Sequence, residues 1–309
     1  MSENRIQAVL MGAAIGDALG WPVEFTDLVE IKAKYGNRGI QELPDPALVT
    51  DDTQMTVALA EGLLDAGIEA GLDAQMNAIG RRFVEWLDRQ SDPSYSRSPG
   101  AASMNGSANF GRGVPWRESG GINAKGCGSA MRVAPLGYLY QHDPARLKEV
   151  AAASAMITHR HPTAIAAAVG AAFAVKYALD GVPIDRQVYE VHVATNGLSD
   201  EFSDTLLRIG HVGGLTDEEA AMRHIGEGRF GDEAVALALY CVIRYPGDYV
   251  GCVRRGANLT GDSDSVASIA GGISAAYLGL TAIPSAWQER VEGRDDLLDL
   301  GERLASARR

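Results

Sequence analysis

Two short stretches of this chain concentrate oxygen donors, Thr50-Asp51-Asp52-Thr53 and, far downstream, Gly261-Asp262-Ser263-Asp264-Ser265. Each packs two carboxylates and neighbouring hydroxyls into a few residues, and each stands where a loop feeds an apolar helix. Such oxygens suit hard cations, Mg²⁺, Mn²⁺ or Ca²⁺, and match Zn²⁺ poorly. Brought together, the two clusters would hold one or two divalent ions. N-capping explains either cluster alone, because Asp, Ser and Thr are favoured cap residues and a cap needs no metal.

Spacing narrows the downstream cluster. In a regular helix Asp262 and Asp264 would diverge by about 200°, given roughly 3.6 residues per turn, so they converge only where the backbone is not yet helical. A helix start supplies that geometry, with Gly261 easing the turn. Asp262 to Val266 also fits the DxDx[TV] pattern of aspartate-nucleophile phosphatases, but that motif ends a buried strand and Arg254 to Thr260 is polar. An EF-hand is excluded, since Val266, Ala267 and Ile273 replace the third acid, the central glycine and the terminal Glu. Gly126-Cys127-Gly128-Ser129 is no dinucleotide fingerprint, because no strand precedes it and Met131 stands at the third small position.

The elements that must position these residues read as helices almost throughout. Met55, Leu59 and Leu63 recur at helical spacing, as do Phe83, Trp86 and Leu87, whereas two-residue alternation is hard to find. Ala164 to Leu179, Ala234 to Ile243 and Val266 to Leu280 are apolar on all sides, the pattern of central helices surrounded by others. Their Ala and Gly residues allow close backbone approach. Pro162 after His161, Asp143-Pro144 and Asp217-Glu218-Glu219 mark helix starts. The expected fold is all-α, one compact domain over residues 1–309, with a long glycine-rich loop from Gln90 to Gly128 that is functional or disordered.

Composition bounds the function. The formal charge of −12 argues against a surface that tracks nucleic-acid phosphates, so an anionic ligand needs local help. Cys127, Cys241 and Cys252 are odd in number and widely spaced, which fits reduced thiols in a cytoplasm. Asp17 interrupts the apolar run from Ile6 to Leu19 and leaves no clean signal-peptide core. Val266 to Ile283 carries Ser268, Ser274 and Tyr277 and is read as a buried helix, not a membrane span.

With Gly16-Asp17-Ala18-Leu19-Gly20 leading to Glu24, the two acidic clusters, Gly126 to Arg132, and His159-Arg160-His161-Pro162 stand in the order of one family. The chain resembles the ADP-ribosylglycohydrolases, which include the dinitrogenase-reductase-activating glycohydrolase and the animal ADP-ribosylhydrolases. The resemblance runs from about Ile6 to Leu280. It implies a single all-α, orthogonal helical bundle with a binuclear Mg²⁺ or Mn²⁺ centre in a cleft. Thr50, Asp51, Asp52, Asp262, Asp264 and Ser265 would then be the metal ligands, Ser265 standing where many members have threonine.

The same resemblance implies hydrolysis at the anomeric carbon of an ADP-ribosyl group, with free ADP-ribose or an ADP-ribosylated protein as ligand. Asp264 and Asp52 would act in catalysis through the metals, and Glu24 as gate, as general acid/base, or both. Gly126, Gly128, Ser129 and Met131 match the phosphate-binding loop and His161 a ligand contact; His159 is read as structural, and Arg132 as a nearby charge, a helix C-cap or an ion-pair partner. In the arginine-acting bacterial branch an acid lies beside the scissile bond, and here the run is Arg97-Ser98-Pro99-Gly100-Ala101, with Ser98 in its place. That match places Ser98 and Gly100 among the substrate-binding residues and leaves serine- or other O-linked ADP-ribose open. A cytoplasmic monomer is expected. A scaffold that binds ADP-ribose without catalysis, and a metal-dependent phosphohydrolase cutting the pyrophosphate, are the alternatives.

Overall fold

The computed structural model describes residues 3–308, and among them every regular element is helical. In chain order these are α1 (Glu3–Gly20), α2 (Leu28–Tyr35), α3 (Asp51–Ala66), α4 (Leu72–Arg89), α5 (Ala101–Gly111) and α6 (Trp116–Ser119). The middle of the chain forms α7 (Ala134–Leu139), α8 (Pro144–Met156), α9 (Pro162–Leu179), α10 (Gln187–Thr195), α11 (Asp200–Val212) and α12 (Glu218–Ile225). The chain continues through α13 (Gly231–Arg244), α14 (Tyr249–Ala257), α15 (Ser263–Leu278), α16 (Ser285–Arg290) and α17 (Arg294–Ala307). The all-α expectation holds.

The most intimate contact joins α1 to α15. Gly12, Gly16 and Gly20 lie four residues apart and so form one stripe on α1. A Cβ on Gly16 would stand 2.1 Å from Ala267 O, and one on Gly20 would stand 2.4 Å from Asp264 Cα, so the two backbones touch along this stripe. Residues of α9 and α13 also pack on α15, and the apolar-all-round segments are buried on every side, as their sequences imply. Met55, Leu59, Leu63 and Phe83 are fully buried, which confirms the helical stripes.

Start signals also correspond to observed caps. Asp143 Oδ1 accepts from Arg146 N at 3.0 Å, Asp217 Oδ1 from Glu219 N and Ala220 N at 3.0 Å, and His161 Nδ1 from Thr163 N at 3.2 Å. Two helices, Arg5–Val23 with its 3-10 extension and Pro162–Leu179, are long and apolar enough to cross a membrane, yet 89% and 83% of their residues are buried inside the fold. Of the run Val266 to Ile283, the part within α15 up to Ala276 is buried in the core, whereas the helix ends at Leu278 and Thr281 is exposed.

The glycine-rich region differs from its expected form. Instead of one long loop it contains α5 and α6. Helix propensity hides α5, because Gly106 and Gly111 lie within it and glycine is a poor helix former. Tertiary packing explains Gly106, where a Cβ would stand 2.5 Å from Thr158 Cα and 2.6 Å from Ile157 O.

Candidate active site

Asp17 organises one half of the site. It is the single charged residue between Ile6 and Leu19 and is fully buried on α1. A buried carboxylate must find donors, and the start of α3 supplies them. Thr50 N and Thr50 Oγ1 donate to Asp17 Oδ1 at 3.1 and 2.9 Å; Thr53 N and Thr53 Oγ1 donate to Oδ2 at 3.1 and 2.6 Å. Thr50 Oγ1 also accepts from Asp52 N at 3.3 Å and so caps α3. Asp51 and Asp52 are thereby held in the first turn, both buried. Asp51 Oδ2 accepts from Gly100 N at 3.0 Å.

The start of α15 faces them. Ser265 Oγ lies 2.8 and 3.0 Å from the two oxygens of Asp52, which joins the two acidic clusters directly. Ser263 Oγ donates to Gly20 O at 3.0 Å and fixes the turn onto α1. Gly261 has φ of +132°, and a Cβ there would stand 1.9 Å from Glu227 O, so this position requires glycine. Asp262 precedes α15, yet its carboxylate makes no capping bond; Asp262 Oδ2 accepts from Cys127 Sγ at 3.0 Å instead. Capping therefore accounts for Thr50 and not for Asp262. Asp264 Oδ1 accepts from Ser265 N at 3.0 Å, and Asp264 is buried against Gly20.

Glu24 closes the group. Ser98 Oγ donates to Glu24 Oε2 at 2.6 Å, and Trp21 Nε1 donates to Ser98 Oγ at 3.1 Å. Two non-glycine residues with positive φ sit here, Phe25 at +51° and Ser98 at +50°. Backbone of this kind is held only where surroundings over-determine it, and it collects at functional segments. For Ser98 the restraint comes from Arg97, whose guanidinium binds Glu292 and Val49 O, the latter at 2.7 Å. A cavity of about 400 Å³ between α3 and α17 borders Thr53, Arg97 and Glu292 but none of the four clustered aspartates.

Electrostatics shows what this arrangement lacks. Burial pushes Asp17 up to about 6 and Glu24 up to about 7, and raises Asp51, Asp52, Asp262 and Asp264. After burial, Asp264 is raised chiefly by the charges of Asp52, Asp262, Glu24 and Asp17. The buried cation that senses Asp51 is Arg132, but its Nη2 donates to Ser154 O and Thr158 Oγ1, and it lies over the Phe83 ring. Arg132 is thus a buried structural charge that caps the C-terminal turn of α8 through Ser154 O and forms no ion pair among the described residues. Four aspartates, two hydroxyls and no adjacent cation make a donor set that fits hard divalent ions. Among the described residues no three His, Cys, Asp or Glu side chains form a ready-made cage, so hydroxyl and water oxygens would complete any shell.

The Gly126–Ser129 turn borders the clusters through Cys127. An antiparallel bridge between Gly126 and Phe230 and a 3-10 turn over Cys127–Ser129 engage part of this backbone, and among the described residues the N–H groups of Gly126 and Gly128 are left for an anion in the manner of a nest. Met131 N is spent on Cys127 O at 3.1 Å, and Ser129 Oγ on Ala164 O at 2.9 Å. Gly128 is closely packed, since a Cβ would stand 3.0 Å from both His159 Cε1 and Ser103 Oγ. His159 is buried, bonded through Nδ1 to Thr158 Oγ1 at 2.7 Å, and burial lowers it to about 3, so it is a neutral structural ring. His161 is half-buried as the cap of α9.

The two acidic clusters and Gly100 are thus joined by hydrogen bonds, Glu24 and Ser98 form a bonded pair whose charge is felt at Asp51 and Asp264, and Gly126, Gly128, Ser129 and Met131 adjoin the clusters through Cys127. His161 is not bonded to any of them. The sequence alone assigns no site role to Trp21, Ser263 or the Cys127 thiol, and marks Asp17 only as part of a motif and as a break in an apolar run. For Asp17 a signal existed, a lone acid in an apolar helix.

Comparison with known proteins agrees with this architecture. The family model for ADP-ribosylglycohydrolase matches residues 1–309. A protein of Archaeoglobus fulgidus is 30% identical, covering 98% of this chain and 96% of its own length. Mouse ADP-ribosylhydrolase ARH3 is 26% identical, covering 98% of this chain and 91% of its own length. The ADP-ribosyl-[dinitrogen reductase] glycohydrolase of Rhodospirillum rubrum is 26% identical over 94% of this chain and 91% of its own length. A solved ADP-ribosylglycohydrolase-related protein complex superposes with a TM-score of 0.77 at 27% identity, covering 100% of this chain and 99% of that one. A match over the full length, on a fold that draws Asp51, Asp52, Asp262 and Asp264 toward one place, establishes that this chain belongs to the ADP-ribosylglycohydrolase family.

Proposed function

We propose that the protein is a divalent-cation-dependent hydrolase that cleaves the bond at the anomeric carbon of an ADP-ribosyl group and releases ADP-ribose. The observation that carries this reading is the set of mutually repelling buried aspartates, Asp51, Asp52, Asp262 and Asp264, beside a glycine turn that leaves the N–H groups of Gly126 and Gly128 for an anion. Thr50, Asp51, Asp52, Asp262, Asp264 and Ser265 would hold Mg²⁺ or Mn²⁺, which when bound lowers the pKa of water and orients sugar hydroxyls. The Gly126–Ser129 turn would receive the pyrophosphate, whose negative charge a −12 chain otherwise repels.

Glycoside cleavage passes through an oxocarbenium-like transition state and needs a group that exchanges protons near neutral pH. Glu24, raised to about 7 by burial, is such a group, and the Ser98 hydroxyl orients it. Asp52 accepts from the Ser265 hydroxyl and Asp264 from the Ser265 N–H, and both would supply negative charge toward the reacting centre. The Arg97–Ala101 run offers no carboxylate to a guanidinium leaving group, and Arg97 itself is turned away onto Glu292. That favours O-linked over arginine-linked substrates.

The test is a panel of Ser-, Arg- and nucleic-acid-linked ADP-ribose assayed with Mg²⁺, with Mn²⁺ and with EDTA, with products separated. Release of intact ADP-ribose, fastest from an O-linked substrate and lost in EDTA, is expected. AMP and ribose phosphate as products would replace this reading with a phosphohydrolase, and ligand binding without turnover would replace it with a scaffold.

A further inference from the structure

Two subsites that must cooperate meet at one side chain. Cys127 lies within the Gly126–Ser129 turn, and its thiol reaches across to the start of α15. Cys127 Sγ donates to Asp262 Oδ2 at 3.0 Å and stands 3.3 Å from Ser265 Oγ. The other bond between the turn segment and α15 is weak, Ser265 Oγ to Met131 Sδ at 3.8 Å. The thiol is buried between these two partners, and toward the carboxylate it stands as the donor. Cys127 meets the Asp262 carboxylate from across the cleft, while Asp262's other neighbours, Ser265 and Asp264, belong to its own helix.

We infer that Cys127 is a positioning residue that couples anion binding on the Gly126–Ser129 turn to cation binding at Asp262. This rests on the function proposed above. An anion drawing in the turn's N–H groups fixes the backbone of Cys127, which fixes the thiol and with it Asp262; a cation on Asp262 acts in reverse. Coupling of this kind is reciprocal, so each ligand strengthens the other by the same factor. A serine at 127 keeps a donor in place and an alanine removes it.

The test is calorimetric and needs no turnover. ADP-ribose is titrated into EDTA-treated protein and into protein with Mn²⁺, for wild type, Cys127→Ser and Cys127→Ala; Mn²⁺ is titrated with and without ADP-ribose as the reciprocal leg. Wild type and Cys127→Ser are expected to bind ADP-ribose more tightly with Mn²⁺, and Cys127→Ala to lose roughly 3- to 10-fold of that enhancement, the equilibrium equivalent of one hydrogen bond. Cys127→Val, which fills the space without a donor, gives the same comparison if the alanine protein melts too low. Undiminished enhancement in Cys127→Ala or Cys127→Val, or loss of it in Cys127→Ser, overturns the inference while leaving the function intact. A wild type that binds ADP-ribose equally with and without Mn²⁺ overturns the coupling, and one that binds none overturns both.

Discussion

Glu24 owes its protonation behaviour to two opposed effects, burial raising it and the Ser98 hydroxyl lowering it. Replacing Ser98 with Ala removes the second effect, so the limb of the pH–rate profile that reports Glu24 is expected to move to higher pH; a profile that does not move would detach Glu24 from the proton transfer. Asp17 acts at greater remove. Asp17→Ala strands the N–H and hydroxyl donors of Thr50 and Thr53, and with unpaired buried donors costing about 1–3 kcal/mol each, urea denaturation should show a loss of at least about 3 kcal/mol. Weaker Mn²⁺ binding should accompany it, because the start of α3 loses its anchor. The acidic clusters were readable from residue type alone, since adjacent carboxylates and hydroxyls at a helix start are a local pattern. Asp17 was not, because its bonds join residues 33 and 36 positions apart, and no local spacing encodes such a pairing.

At the scale of elements, the glycine stripe on α1 decides where the site is built. Gly16→Ala pushes a methyl into Ala267 O, and overpacking of this kind costs typically 1–3 kcal/mol. Gly210, near the end of α11, has open space around its missing Cβ, and Gly210→Ala is expected to stabilise by roughly 0.5–1 kcal/mol. Thermal melting of both proteins separates the two cases, and a harmless Gly16→Ala would show that α1 and α15 are free to part. Helices with a start signal or an apolar pattern, such as α3, α8 and α9, were legible in the sequence. The α1–α15 contact was not, for glycines spaced four apart announce a close approach without naming the partner, and α5 was concealed by the glycines that its packing demands.

The molecule as a whole stores negative charge in its interior as well as on its surface. Asp17 and Glu24 have folded-state values of about 6 and about 7 against ordinary values of 3.8 and 4.5. Without cations the folded state therefore binds protons more tightly than the unfolded chain, and this stabilisation is present below about pH 4 and lost as pH rises through 6 to 7. His159 works in the opposite sense, costing stability as pH falls from 6.5 toward 3, but equally with and without metal. The rise in melting temperature on adding Mn²⁺ to chelated protein should thus be larger at pH 8 than at pH 5, since cation binding needs ionised carboxylates. An equal rise at both would mean that these carboxylates do not hold the ion. The formal charge of −12 was plain in the sequence, whereas its concentration at one buried place depends on α1, α3 and α15 meeting.

The most direct measurement is release of ADP-ribose from an O-linked substrate as Mg²⁺ or Mn²⁺ is returned to EDTA-treated protein, with wild type beside Asp264→Asn at matched melting temperature. The predicted result is activity that returns with the cation in wild type and stays at least about 10³-fold lower in Asp264→Asn, the scale of losing one preorganised electrostatic group. Turnover that persists in EDTA, or an Asp264→Asn protein as active as wild type, would contradict it.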